Sequence, residues 1–168
     1  MFGKTFLASI VCGLMAILSQ PIFLAAATPS LAGSWQITLT PSTPPTPTAA
    51  TFGLATFTSD GSVIETDTSE VVPNVGSTTG AATYGTPGHG IWQVLPTLSN
   101  LYVQYLSLAV NPDGSLSAKN LTTLIVTVTS SGNQFSGSYT TTQTSVSGQT
   151  KITSGTVTGQ LIPHPLFP

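Results

Sequence analysis

From Ser34 onward the apolar and polar positions alternate with a period of two and never hold a helical period, which predicts strands. Trp35, Ile37 and Leu39 fall on one face of a first strand, Ser34 to Thr40. Ala50 to Thr58 and Ser62 to Thr68 predict a hairpin around Asp60-Gly61. Gly88 to Leu95, Leu101 to Asn111, Ser115 to Thr129, Gln134 to Ser145 and Thr150 to Ile162 follow, parted by short turns at Asn111-Pro112-Asp113-Gly114, Ser131-Gly132-Asn133 and Ser147-Gly148-Gln149. The last strand carries Gly155-Thr156-Val157-Thr158-Gly159, whose small alternate residues let strands curl without overfilling a barrel. Eight strands joined mostly by hairpin turns predict an all-β, eight-stranded antiparallel up-and-down β-barrel, with a β-sandwich as the alternative.

Two stretches interrupt this order. Residues 41–48 hold four Pro and read as an extended loop, because Pro cannot join a ladder. Residues 70–87 are rich in Gly, Ser and Thr and read as a long loop of the kind found at binding mouths. The first hairpin leaves one question open. A two-residue turn at Asp60-Gly61 sets Phe57 opposite Ile64, whereas a three-residue loop with a Gly bulge sets Phe57 opposite Val63 and on the same face as Glu65. Whether Glu65 and Asp67 point inward depends on that choice.

Composition sharpens the picture. Hydrophobic residues make up 40% of the 168-residue chain and charged residues only 5%, against about 25% charged in ordinary globular domains. With three basic residues and a net charge of −2 there is no basic patch for nucleic acid or an anionic membrane surface. Residues 1–27 read as a signal peptide: Lys4, an apolar run from Phe6 to Leu18, and Ala25-Ala26-Ala27 before a cleavage site. Residues 28–168 then form a single secreted or periplasmic domain with no integral membrane span. Cys12 is removed with the signal, so no disulfide, thiol or Cys-based metal site remains. An outer-membrane barrel needs an apolar stripe on every strand, and Gln134 to Ser145 carries Ser and Thr on both faces.

Chemistry-bearing residues are few. His89 lies between Gly88 and Gly90 at an expected barrel mouth, near Trp92. Glu65 and Asp67 share a strand face and read either as converging carboxylates or as a solvated outer face. Tyr105 and Tyr139 are placed to line an apolar cavity with hydroxyls, or to fill the core. The candidate ligand-binding residues are therefore His89, Trp92, Tyr105, Glu65 and Tyr139. No catalytic set, metal site or cofactor site is assigned. Asn120-Leu121-Thr122 matches a glycosylation sequon but falls mid-strand.

Gly33-Ser34-Trp35 entering the first strand of such a barrel resembles the calycin superfamily of lipocalins, fatty-acid-binding proteins and avidins. The Phe135-Ser136-Gly137-Ser138-Tyr139 and Gly155 to Gly159 strands are similar to avidin strands. The resemblance implies that Gly33 and Trp35 are structural, the indole plugging one barrel end. The chain departs from the pattern in having Lys151 as the only basic residue of its last strand, and only two Trp, Trp35 and Trp92. The expectation is a secreted protein binding a small, mostly apolar molecule. The alternatives are a structural or interaction protein of the cell surface, and a barrel isomerase or cyclase resembling allene oxide cyclase or dirigent proteins, built on His89 with Glu65 or a Tyr.

Overall fold

The computed structural model describes residues 29–42, 49–70, 74–75, 82–96 and 100–163. The expected signal peptide, most of the Pro-rich loop and parts of 70–87 lie outside the described residues. The strands are β1 (Gly33–Pro41), β2 (Thr51–Phe57), β3 (Ser62–Asp67), β4 (Asn74–Val75), β5 (Ala82–Gly85), β6 (Gly88–Val94), β7 (Leu101–Val110), β8 (Leu116–Val128), β9 (Gln134–Ser145) and β10 (Thr150–Leu161). A 3-10 turn, Thr68–Glu70, follows β3.

These strands make eight staves. Each pairs antiparallel with the next in sequence, and β10 returns to pair with β1, closing the barrel. Closure removes the edges that an open sheet would expose. The sandwich alternative is therefore not what forms.

The stretch 70–87 differs from the expected loop. β5 runs on into β6 and pairs with the far end of β7, Tyr84 opposite Val110, while β4 pairs with β5. The stave is interrupted only at Thr86-Pro87, where Pro has no N–H to give. Thr86 bridges the gap: its N–H donates to the Leu108 carbonyl, and its hydroxyl accepts from the Leu108 N–H at 3.0 Å. At the other interruption Pro41 closes β1 opposite Gly155 instead of starting the loop. A strand's last residue tolerates a missing donor.

The first hairpin takes the three-residue loop. Phe57 pairs with Val63, Thr56 with Ile64 and Ala55 with Glu65. Gly61 sits at φ 92°, a conformation that costs a residue without Cβ nothing. Asp60 completes the turn by accepting from the Ser62 N–H at 3.2 Å and from the Thr58 hydroxyl. This register sends Val63, Glu65 and Asp67 inward and Ser62, Ile64 and Thr66 outward.

One end of the barrel is packed solid. Trp35, Leu31, Ile37, Phe57, Val63, Leu101, Val103, Leu124, Val126, Phe135 and Val157 are all buried there. The Trp35 indole N–H donates to the Leu31 carbonyl at 2.7 Å, and its ring lies 5.0 Å from that of Phe135. Across β9 and β10, Phe135 and Tyr139 lie over Gly159 and Gly155, where any Cβ would collide with the rings. The outer surface is uneven. Phe52, Leu54, Ile64, Ile91, Leu106 and Leu121 are exposed on β2, β3, β6, β7 and β8, whereas the outward positions of β9 from Ser136 to Thr144 are Ser and Thr.

Candidate functional site

Along each of the staves β7 to β10 the inward residues change from apolar at the packed end to polar at the other. On β7 the order is Leu101, Val103, Tyr105, Ser107; on β8, running the other way, it is Asn120, Thr122, Leu124, Val126, and beyond the polar rows the small buried pair Ala109 and Ala118 follows. The ladders align these into rows. Tyr105 pairs with Thr122, Thr122 with Thr141 and Thr141 with Thr153, a row of four hydroxyls on one wall. Beyond it Ser107, Asn120, Gln143 and Lys151 form a second row. Within the rows Thr122 and Thr141 hydroxyls are 2.9 Å apart, and the Gln143 side-chain N–H donates to Asn120 at 3.1 Å.

The opposite wall is acidic. Glu65 and Asp67 face the hydroxyl rows from β3, and between the walls lies an open cavity of about 520 Å³. Leu39, Pro41, Thr51, Thr68, Ser69 and Tyr139 also line it. The volume lies within the range of small-molecule sites. Its lining, dominated by hydroxyl, amide and carboxyl groups, is more polar than such sites usually are.

Glu65 is the anomaly. Its side chain is 4% exposed, and Oε1 is fully buried with no hydrogen-bond partner among the described residues. Two glycines on the flanking staves make its place. A methyl on Gly53 of β2 would come within 2.9 Å of Oε1, and one on Gly88 of β6 within 3.2 Å of Oε2. Burial, then the charges of Asp67 and Glu70, raise the Glu65 carboxyl from 4.5 to about 8. At neutral pH it is therefore mostly protonated. Asp67 is better served: its carboxylate accepts from the Ser69 N–H at 2.7 Å and from the Ser69 hydroxyl. Glu70 accepts from the Asp67 N–H at 3.2 Å. Burial, followed by the Glu65 charge, holds the Tyr105 phenol well above its usual range, and burial raises that of Tyr139.

No family model, curated protein or solved structure matches this chain. The site is thus read from its own geometry. Of the five sequence candidates, Glu65, Tyr105 and Tyr139 line the cavity, and His89 and Trp92 do not. His89 points out of the barrel, paired with outward Ile64 and Leu106, because alternation along β6 turns Gly88 and Gly90 inward. Trp92 faces inward at the packed end, donating its indole N–H to the Thr58 carbonyl at 2.8 Å and meeting Phe57 edge-on. The His89–Glu65 cluster on which a cyclase would rest is not formed, since the two occupy opposite faces of the sheet. Asn120, the sequon residue, lines the cavity, and its side-chain oxygen accepts from Gln143.

Sequence reasoning passed over Thr122, Thr141, Thr153, Asn120 as a cavity residue, and Gln143. A signal for them exists. Once each strand is assigned an inward face, the polar inward residues fall at the C-terminal end of β7 and at the N-terminal end of β8. Antiparallel neighbours bring those two ends to one rim.

Proposed function

We propose that this barrel binds a small polar molecule, non-covalently, in the cavity at its open end, as an exported protein of calycin type. The calycin reading is supported by the closed eight-stave barrel and by Gly33-Ser34-Trp35 entering its first strand with the indole buried at the packed end. Export is supported by the signal-like pattern of residues 1–27. The mostly apolar ligand expected with the calycin resemblance gives way here to a polar one, because the apolar side chains are spent on the packed end. The observation that carries the proposal is the buried Glu65 oxygen without a partner. A buried polar atom left unpaired costs about 1–3 kcal/mol, and a ligand supplying the missing partner recovers that energy.

Thermal melting of the protein against a panel of polyols, amino alcohols, amines and carboxylic acids tests it. At a hundredfold excess over Kd a true ligand stabilises by about 2.7 kcal/mol. Thr153→Phe, which fills the cavity from the half-buried wall of β10, abolishes the shift. If no compound raises the melting temperature, or Thr153→Phe leaves every shift intact, the cavity is not the site.

A further inference from the structure

The distribution of charge narrows the ligand class. Of the five acidic residues in the chain, Asp60 and Asp113 are tied into hairpin turns by Ser62 and Ser115. The other three, Glu65, Asp67 and Glu70, adjoin the open end, and Lys151 at the rim is the only basic side chain lining the cavity. An anionic ligand would meet like charge on the wall that holds the unpartnered oxygen. A metal ion fits no better, since no three His, Cys, Asp or Glu side chains among the described residues come together to hold one. A neutral polar molecule would pair one oxygen of Glu65 but leave the neighbouring charges of Asp67 and Glu70 uncompensated. An ammonium group does both. It donates up to three hydrogen bonds in different directions, to Glu65 on one side and to the hydroxyl row of Thr122 and Thr141 on the other, and it brings the countercharge that a buried carboxylate needs.

We propose that the ligand is a protonated organic amine whose ammonium group is seated against the Glu65 carboxylate. This rests on the cavity being a binding site. It also has a consequence that a neutral ligand lacks. The titratable groups lining the cavity with Glu65 are Asp67 from its own strand, Tyr105 from β7, Tyr139 from β9 and Lys151 from β10, with the charge of Glu70 acting from just outside the lining, while β2 and β6 set Gly53 and Gly88 against the carboxyl. None of the phenols ionises near neutrality. Seating the amine therefore expels the proton from Glu65: the ammonium keeps its own protons, the carboxyl becomes a carboxylate, and one proton goes to solvent.

The test is titration calorimetry of the purified protein with tyramine and ethanolamine, each against its neutral counterpart, tyrosol and ethylene glycol. Runs in buffers of different ionisation enthalpy count the protons released. The expected result is an amine preference of at least about tenfold, affinity rising about tenfold per pH unit below the Glu65 pKa, and close to one proton released per amine at neutral pH. Glu65→Gln abolishes the preference and the proton release. Asp67→Asn removes a neighbouring charge and keeps the Glu65 carboxyl; Asp67 attracts the ammonium but also repels the Glu65 carboxylate, so the two effects oppose and amine affinity changes by less than about threefold, while proton release shifts to lower pH. Neutral compounds that bind as tightly as the amines, or amine binding with no proton release in the unaltered protein, overturn the ammonium assignment and leave the cavity reading standing. If neither amines nor neutral compounds bind, both fail together. The pH dependence of the unaltered protein decides the matter even should Glu65→Gln fold poorly.

Discussion

Replacing Glu65 by Gln changes one proton-binding group and almost no volume, and its effect on stability is set by pH. The folded protein holds the Glu65 proton up to about pH 8, whereas the unfolded chain releases it near 4.5. Between those values the native state binds more protons than the unfolded state, so stability falls as pH rises. Below the unfolded pKa both states are protonated and the group contributes no slope. Each pKa unit corresponds to about 1.36 kcal/mol. The integrated loss is then about 1 kcal/mol by pH 5 and about 4 kcal/mol by pH 8. Gln carries no proton to lose, so that loss vanishes in the variant. The amide brings its own unpaired donors beside Gly53, at a cost of about 1–3 kcal/mol that does not vary with pH.

The slope is therefore the clean readout. Urea unfolding followed by circular dichroism across about pH 5 to 8 gives both curves. The expected result is that Glu65→Gln gains about 3 kcal/mol on the unaltered protein over that interval, an effect on the order of 10 °C in melting temperature. Parallel curves would refute the reasoning, because they would mean that the carboxyl is solvated or already partnered and that its native pKa is ordinary.

Two further outcomes follow from the packing. Trp35→Ala should cost about 3–5 kcal/mol, and Trp35→Phe about 1–3 kcal/mol, the latter from the Leu31 carbonyl left unpaired; chemical denaturation checks both, and losses under about 0.5 kcal/mol would deny the indole its role as the plug. Of the four Tyr, the Tyr105 phenol should stay protonated until the barrel unfolds in alkali, seen as a delayed component at the tyrosinate absorbance that disappears in Tyr105→Phe; a smooth, complete titration of all Tyr in the folded protein would contradict its burial.

The eight staves were legible because period-two alternation and Gly-containing turns repeat at even spacing, and the expected strand bounds differ from the observed ones by at most one residue at either end. The register of β2 against β3 was not. Asp-Gly suits both a two-residue and a three-residue loop. The choice is made by where positive φ falls: Gly61 takes it and no residue other than Gly does among the described residues, so Asp60 stays in the ordinary region and accepts bonds from Ser62 and Thr58. The short strands β4 and β5 escaped notice for a different reason. Two and four residues carry no measurable period, and their place is fixed by the ladder with β7 more than by their own composition. His89 was misleading because two flanking glycines look like an access feature. Here they are the inward residues, small so that Glu65 and Tyr105 fit against Gly88 and the β7 backbone fits against Gly90.

That last point bears on what the barrel is for. Among the other inward and turn residues local preference and global fold agree: apolar side chains at the packed end, hydrogen-bonded hydroxyls and amides at the open end, Asp and Gly in turns. Glu65 alone breaks the pattern, buried with an oxygen unpaired in a chain with only five acidic residues, and two neighbouring staves give up their side chains to admit it. A Gln, Leu or Thr at this position would serve the empty barrel better at neutral pH by the linkage argument above. Breaches of this kind that cost stability are concentrated where function requires them. A ligand that binds the carboxylate form reverses the sign, since each complex then favours the deprotonated state the empty barrel resists. The same residue thus makes the free protein weakest and the liganded protein most favoured on the alkaline side of neutrality, a pairing that a purely structural carboxyl would not produce.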